Sequence, residues 1–205
     1  MNKRVKFALA TANPGKIKEM HTILSGLGIE VVTRDELGID IDVEETGTTF
    51  LENATIKAKA ICRASGIPSI ADDSGLIVEA LNGKPGVYSS SFGGEKLTAD
   101  ERCVYLLREM EKIKITGKPQ QRSARFVCTI VCAFPDGYLL TATGECFGMI
   151  ISEPRGSGGF GYDPVFLPEG WDRTMAELTP DEKNKISHRG KALITFSELL
   201  RSTFL

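Results

Sequence analysis

Four segments carry residue types that could act together on a phosphorylated ligand. The first is Thr11-Ala12-Asn13-Pro14-Gly15-Lys16. Asn13 suits a helix N-cap and Pro14 the first helical position, so N–H groups at a helix start, with the Lys16 charge beside them, offer an anion site. It is not a Walker A loop, which needs Gly where Ala10 stands and Ser or Thr where Ile17 stands. The second is Asp72-Asp73-Ser74-Gly75, after the short apolar run Ser69–Ala71, with Glu44 and Glu45 as further carboxylates. Hard carboxylate oxygens suit Mg²⁺, which binds through one or two of them plus substrate phosphates. The third is Gly156-Ser157-Gly158-Gly159-Phe160-Gly161-Tyr162-Asp163, where small residues admit a ligand and two aromatic rings could stack on a base. The fourth runs from Lys183 to Gly190 and gathers Lys183, Lys185, His188 and Arg189, donors for phosphate or carbonyl oxygen. Taken singly, these read as a capped helix start, a polar turn, a flexible loop and a solvated basic turn. Together they are the parts needed to hold a Mg²⁺–nucleotide.

The bulk numbers narrow the partners. A chain of 205 residues, 41% hydrophobic and 25% charged, has an ordinary globular balance and room for one sizeable core or two lobes. A net charge of −2 argues against a nucleic-acid polymer as partner, since such surfaces are strongly basic. Met1 to Leu9 has no apolar run long enough for a signal peptide or membrane span. The five cysteines, Cys62, Cys103, Cys128, Cys132 and Cys146, form no C-x-x-C pair and read as buried thiols of a cytosolic protein. His21, within a helical pattern, reads as structural or surface.

The elements that must position these residues follow from periodicity. Val5–Ala10 reads as a buried strand, and Ile17, Met20, Ile23, Leu24 and Leu27 as the apolar stripe of a helix ending at Gly28. Ile29–Thr33 is the next strand. Thr49 and Glu52 form a capping box that opens a helix to about Ser65, with Asn53 and Lys57 sharing one face. Ala99–Ile113 is amphipathic. Phe126, Cys128, Ile130, Cys132 and Phe134 alternate along a strand, and Pro135-Asp136-Gly137 turns the chain into a second strand at Tyr138–Thr143. A capping box at Thr179 and Glu182 opens one more helix, and Ser187–Leu200 is the last. The expected class is α/β with a mixed central sheet and flanking helices, a single domain over 1–205 with two lobes and a groove.

Longer motifs then emerge in order: T-x-N-x-G-K at Thr11–Lys16, E-E-T-G-x-T-F-x-E-N-A at Glu44–Ala54, I-A-D-D-S-G-L at Ile70–Leu76, and G-x-P-G-V-Y-S at Gly83–Ser89. G-G-F-G-Y-D-P at Gly158–Pro164 and A-E-L-T-x-x-E-K-x-x-I-S-H-R-G at Ala176–Gly190 complete the set. In these motifs the chain resembles the inosine/xanthosine triphosphate pyrophosphatase family, which hydrolyses ITP, dITP and XTP to the monophosphate and pyrophosphate. The resemblance implies an elongated, two-lobed α/β fold with a central cleft, a homodimer, a cytoplasmic location and Mg²⁺. It implies that Thr11, Ala12, Asn13, Pro14, Gly15 and Lys16 hold phosphates. Glu45 and Asp73 are the implied Mg²⁺ ligands, Asp73 also the proton acceptor for the attacking water. Ser74 would touch substrate, Phe160, Gly161, Tyr162 and Asp163 shape the base pocket, and Lys183, His188 and Arg189 complete binding, with Lys57 and Asp72 in secondary places.

The residues also leave two rival readings: a pyrophosphatase for modified pyrimidine nucleotides on a related fold, and a non-catalytic nucleotide-binding protein. The S-H-R-G segment favours purines, and Glu45, Asp72 and Asp73 favour catalysis, because binding a polyanion alone would not call for so many carboxylates.

Overall fold

The computed structural model describes residues 6–113 and 122–204; Val5, placed by the sequence at the start of the first strand, lies outside them. The elements are β1 (Lys6–Leu9), α1 (Pro14–Gly26), β2 (Glu30–Thr33), α2 (Phe50–Ser65), β3 (Ser69–Val78), α3 (Ala99–Glu111), β4 (Ser123–Ala133), β5 (Leu139–Ile150), β6 (Phe166–Pro168), α4 (Pro180–Ile186) and α5 (His188–Phe204). One sheet runs in the order β2-β1-β3-β4-β5-β6. It is mixed, as expected: β1 is parallel to both β2 and β3, whereas β5 and β6 are antiparallel. No helix among the described residues is long and apolar enough to cross a membrane.

The chain forms two compact units. The first holds β1, α1, β2, α2, β3 as far as Asp73, residues Cys128–Gly144 and the chain from Arg189. Here the sheet is covered on both faces, which explains why β1 reads as a continuous apolar run rather than an alternating one. Phe7 and Leu9 pack with Met20 and Leu24 of α1 and with Leu193 and Phe196 of α5. Ala8 and Ala10 point the other way, toward Ala54, Ala58 and Ile61 of α2. The second unit holds Ser74–Val127 and Glu145–His188, and its core joins Leu76 and Val78 to Leu106, Met110, Phe126, Tyr162 and Phe166.

Local signals set the helix starts. Asn13 caps α1, with Pro14 in its first turn, and reciprocal Thr/Glu boxes open α2, α3 and α4. The strands differ more from expectation. Asp72-Asp73-Ser74-Gly75 is not a turn: β3 runs straight through it, ten residues long. Carboxylates are tolerated inside that strand because buried cations meet them, as described below. The second strand of the hairpin, expected to stop at Thr143, continues to Ile150, since buried Ala142, Gly144 and Cys146 alternate with more exposed Thr143, Glu145 and Phe147. All five cysteines are buried with free thiols.

Candidate active site

In the first unit, the phosphate-loop candidate is held by its own cap. The Asn13 side-chain oxygen accepts from the Gly15 and Lys16 amides at 2.9 and 3.2 Å, and the Asn13 amide donates to Thr11 Oγ1 at 3.2 Å. Two of the helix-start donors are thus already engaged, and the Lys16 ammonium is the strongest anion-seeking group of the segment. Ala12, Asn13 and Pro14 are exposed, Gly15 and Lys16 partly so.

Successive residues of a strand face opposite sides, and β3 uses this to give its two aspartates separate surroundings. Asp72 lies against Lys16, whose Nζ is 3.0 Å from Oδ2, and against Arg189, whose Nε and Nη2 donate to the same oxygen at 3.2 and 3.0 Å. The Cys128 thiol lies 3.9 Å from it. Arg189 is itself buried, 1% exposed, and its Nη1 donates to Glu19 on α1. Burial alone would raise the Asp72 pKa, but Lys16 and then Arg189 outweigh it and hold the carboxyl well below the usual range. Asp72 is therefore a permanent counterion.

Asp73 faces α2. Lys57 Nζ donates to Asp73 Oδ1 and to Glu45 Oε2, each at 2.9 Å, and Asn53 Nδ2 lies 3.5 Å from Asp73 Oδ2. The pKa of Asp73 is raised, first by burial, which the Lys57 charge and hydrogen bond oppose, and also by the neighbouring Glu45 charge. Lys57 is penalised by burial, yet the Asp73, Asp72 and Glu45 charges push its pKa up, so it stays an ammonium.

The segment carrying Glu45 is welded to the start of α2. The Thr48 amide and hydroxyl and the Thr49 amide all donate to Glu52 Oε2, and the Gly47 amide donates to Asn53 Oδ1 at 2.8 Å. A Cβ on Gly47 would come within 2.6 Å of that Asn53 oxygen and of Glu52 Cβ, so glycine is required by space. Asn53 thus ties the Glu45 segment to Asp73. The sequence placed Asn53 beside Lys57 on one helix face but gave it no task, and it gave no sign of Glu19.

The Glu45 and Asp73 donor set fits a hard cation such as Mg²⁺, which takes oxygen ligands and commonly uses two carboxylates plus substrate phosphates. Among the described residues, no group of three or more His, Cys, Asp or Glu side chains is assembled to hold a metal. Two carboxylates are therefore the chain's offer, and Lys57 already bridges them with positive charge.

The second unit gathers the aromatic and donor segments. Asp163, 3% exposed, accepts from the Phe160 amide at 2.7 Å and from Lys183 Nζ at 2.6 Å. Lys183 Nζ also sits 4.5 Å from the centroid of the Phe160 ring, a cation–π contact. Gly159 has φ +71°, and a Cβ there would fall on the Asp163 carboxylate, so both conformation and space require glycine. The Tyr162 ring is buried, while the Phe160 ring stays partly exposed. His188 stacks on Phe126, ring centroids 4.8 Å apart and planes 13° from parallel. Ser74 is partly buried and follows Asp73 directly on β3; Lys185 is exposed, as is His21. Lys16, Glu45, Asp72, Asp73, Lys57 and Arg189 are thus gathered in the first unit, and Phe160, Asp163 and Lys183 in the second.

Comparison with known proteins agrees with the motifs. The chain is 47% identical over 203 residues to a dITP/XTP pyrophosphatase of Aquifex aeolicus, covering 97% of this chain and 98% of that protein. It is 46% identical over 194 residues to a dITP/XTP pyrophosphatase of Bacillus subtilis, covering 95% and 96%. Its fold matches that of a HAM1 protein from Coxiella burnetii with a TM-score of 0.86 at 42% identity, over 97% of this chain and all of that one (100%). With the Ham1 family model matching residues 7–199, the chain belongs to the Ham1 family.

Proposed function

We propose that this protein hydrolyses deaminated purine nucleoside triphosphates (ITP, dITP and XTP) to the monophosphate and pyrophosphate, using Mg²⁺ held by Glu45 and Asp73. The observation that carries the proposal is the meeting of Asp73 and Glu45, from separate segments, on the single ammonium of Lys57. The names of the relatives support the substrate class.

A bound Mg²⁺ supplies positive charge to the triphosphate oxygens and to the charge that develops in the transition state. Asp73 orients the attacking water and takes its proton as the water adds in line to the α-phosphorus and pyrophosphate leaves. Lys57 keeps Asp73 ionised in its buried setting. Lys16, steadied by Asp72, and the Thr11–Lys16 segment bind phosphate oxygens. Ser74 contacts substrate beside Asp73.

Base selectivity falls to the aromatic loop. Phe160 offers a ring face for stacking, framed by Gly161, Tyr162 and Asp163, and Lys183 and His188 offer donors for the 6-oxo group of hypoxanthine or xanthine. A donor there rewards the oxo group and disfavours the adenine amine. Arg189 completes substrate binding with Lys183 and His188, its guanidinium held in place by Asp72 and Glu19. We further place the enzyme in the cytoplasm as a homodimer that clears deaminated purines from the nucleotide pool; five buried free thiols suit a reducing compartment.

One assay tests the proposal. The protein is incubated with ITP, XTP, dITP, ATP, GTP, dTTP and UTP, with Mg²⁺ or with EDTA, and the products are identified. Pyrophosphate from the deaminated purines, with Mg²⁺ only, is expected. Orthophosphate and a diphosphate product would overturn α-phosphorus attack, and preference for a pyrimidine would overturn the substrate class. Absence of turnover would favour a binding protein.

A further inference from the structure

The G-x-P-G-V-Y-S segment has no task in the chemistry above, yet its last residue is a junction. Ser89, 8% exposed, follows the short helical turn Gly86–Tyr88. Its hydroxyl accepts from the Leu76 amide at 2.9 Å and donates to the Gly86 carbonyl at 2.6 Å. Its own carbonyl accepts from the Tyr162 hydroxyl at 2.9 Å. Leu76 lies on β3, three residues beyond Asp73. Tyr162 lies two residues beyond Phe160, in the loop offered to the base. One small residue therefore ties the strand to the aromatic loop within the second unit.

We propose that Ser89 is a positioning residue that sets the Phe160 ring for the base, an inference that rests on the function proposed above. The loop is fastened through its backbone and through Tyr162 on both sides of the Phe160 ring. The Gly158 amide donates to the Ala176 carbonyl at 3.0 Å, and the Phe160 amide is held by Asp163. The Gly161 carbonyl lies 3.3 Å from the Cys103 thiol, and Tyr162 is held by Ser89. The Tyr162 phenol is buried and its pKa is driven up by desolvation, so the hydroxyl stays protonated and donates. A buried donor of this kind keeps its acceptor, because leaving it unmatched is costly. The Ser89 hydroxyl fixes where that acceptor stands: without it the Leu76 amide and the Gly86 carbonyl both lose a partner and the turn is free to move. Tyr162 would follow, and Phe160 with it.

The test compares Ser89→Ala, Ser89→Thr and Tyr162→Phe with the parent protein, in ITP kinetics and in ligand-free amide NMR spectra. Ser89→Ala and Tyr162→Phe should each raise KM for ITP about tenfold while kcat stays within about twofold, the signature of lost binding geometry rather than lost chemistry. Ser89→Thr, which keeps the hydroxyl, should restore KM. The double variant Ser89→Ala/Tyr162→Phe should be no worse than the worse single, since both break one linkage. Without ligand, the Gly159 to Tyr162 amide resonances should shift in Ser89→Ala and return in Ser89→Thr. Unchanged KM with unshifted amides, or full additivity in the double variant, would overturn the proposal. Should the parent protein fail to hydrolyse ITP, the functional reading falls and the ligand-free spectra alone decide the role of Ser89. Should Ser89→Ala fail to fold, Tyr162→Phe carries the same expectations and the same refutation.

Discussion

Asp72 and Asp73 are consecutive residues on β3 with opposite attachments: Asp72 is locked by Lys16 and Arg189, Asp73 by Lys57 with Asn53 nearby. Two substitutions of the same chemistry should therefore fail differently. Asp73→Asn should keep its fold and lose about 10²- to 10⁴-fold in kcat, as expected for removal of a proton acceptor. Asp72→Asn should instead lose stability, because it leaves the Arg189 charge buried without its main partner, at a cost of about 3–5 kcal/mol. Urea denaturation read beside ITP turnover separates the two. Near-normal turnover by folded Asp73→Asn would remove Asp73 from its role.

Lys57 sets the pH at which Asp73 works. Replacing it by Ala removes the positive charge that opposes burial, so the Asp73 pKa must rise further. The ionised form then exists only at higher pH. In the metal-free protein the Asp73 carboxyl, followed by carboxylate-carbon NMR, should titrate at higher pH in Lys57→Ala than in the parent. An unmoved titration would mean that Lys57 does not set the ionisation of Asp73.

Gly47 places Glu45. In Gly47→Ala the new methyl meets Asn53 and Glu52, so the loop must back away from the start of α2. The Mg²⁺ concentration for half-maximal turnover should rise by roughly tenfold, comparable to the loss of a supporting partner around a metal ligand. An unchanged Mg²⁺ dependence would show that Glu45 is not a ligand.

The thiols should be inert in the folded protein. Burial pushes Cys103 and Cys128 up to about 12, so few thiolates exist near neutral pH. A thiol-specific reagent at about pH 8 should label slowly until denaturant is added, and then count five. Rapid labelling of the native protein would contradict the burial.

Features written locally were legible in the sequence. The Asn13 cap and the Thr49 and Thr179 boxes depend on residues within one turn, and the apolar stripe of α1 follows a simple period. Features that depend on distant partners were not. Asp-Asp-Ser-Gly looks like a turn until Lys16, Lys57 and Arg189, from three different helices, supply the charge that keeps it in a strand. Glu19 looks like a solvated helix residue, although its partner Arg189 lies 170 positions away. β6 is three residues long, too short to have a period, and exists because β5 offers it an edge. The site followed the same division: Glu45 and Asp73 could be named from motifs, while the work of Asn53 and Ser89 lies in hydrogen bonds between segments.

The alanines that line α2 and its strands have a consequence for how this protein can change. Ala54 and Ala58 on the helix meet Ala8 on β1, Ala10 just beyond its end and Ala71 on β3, all fully or nearly fully buried. Small side chains on both sides make the interval between helix and sheet a gauge, short enough for Lys57 to reach Asp73 across it. A single added branch, such as Ala58→Val, would widen that gauge by forcing the two backbones apart. The spacing of an ion pair in the site is therefore inherited from methyl groups that never touch it, and drift at those positions is constrained by reach as much as by stability.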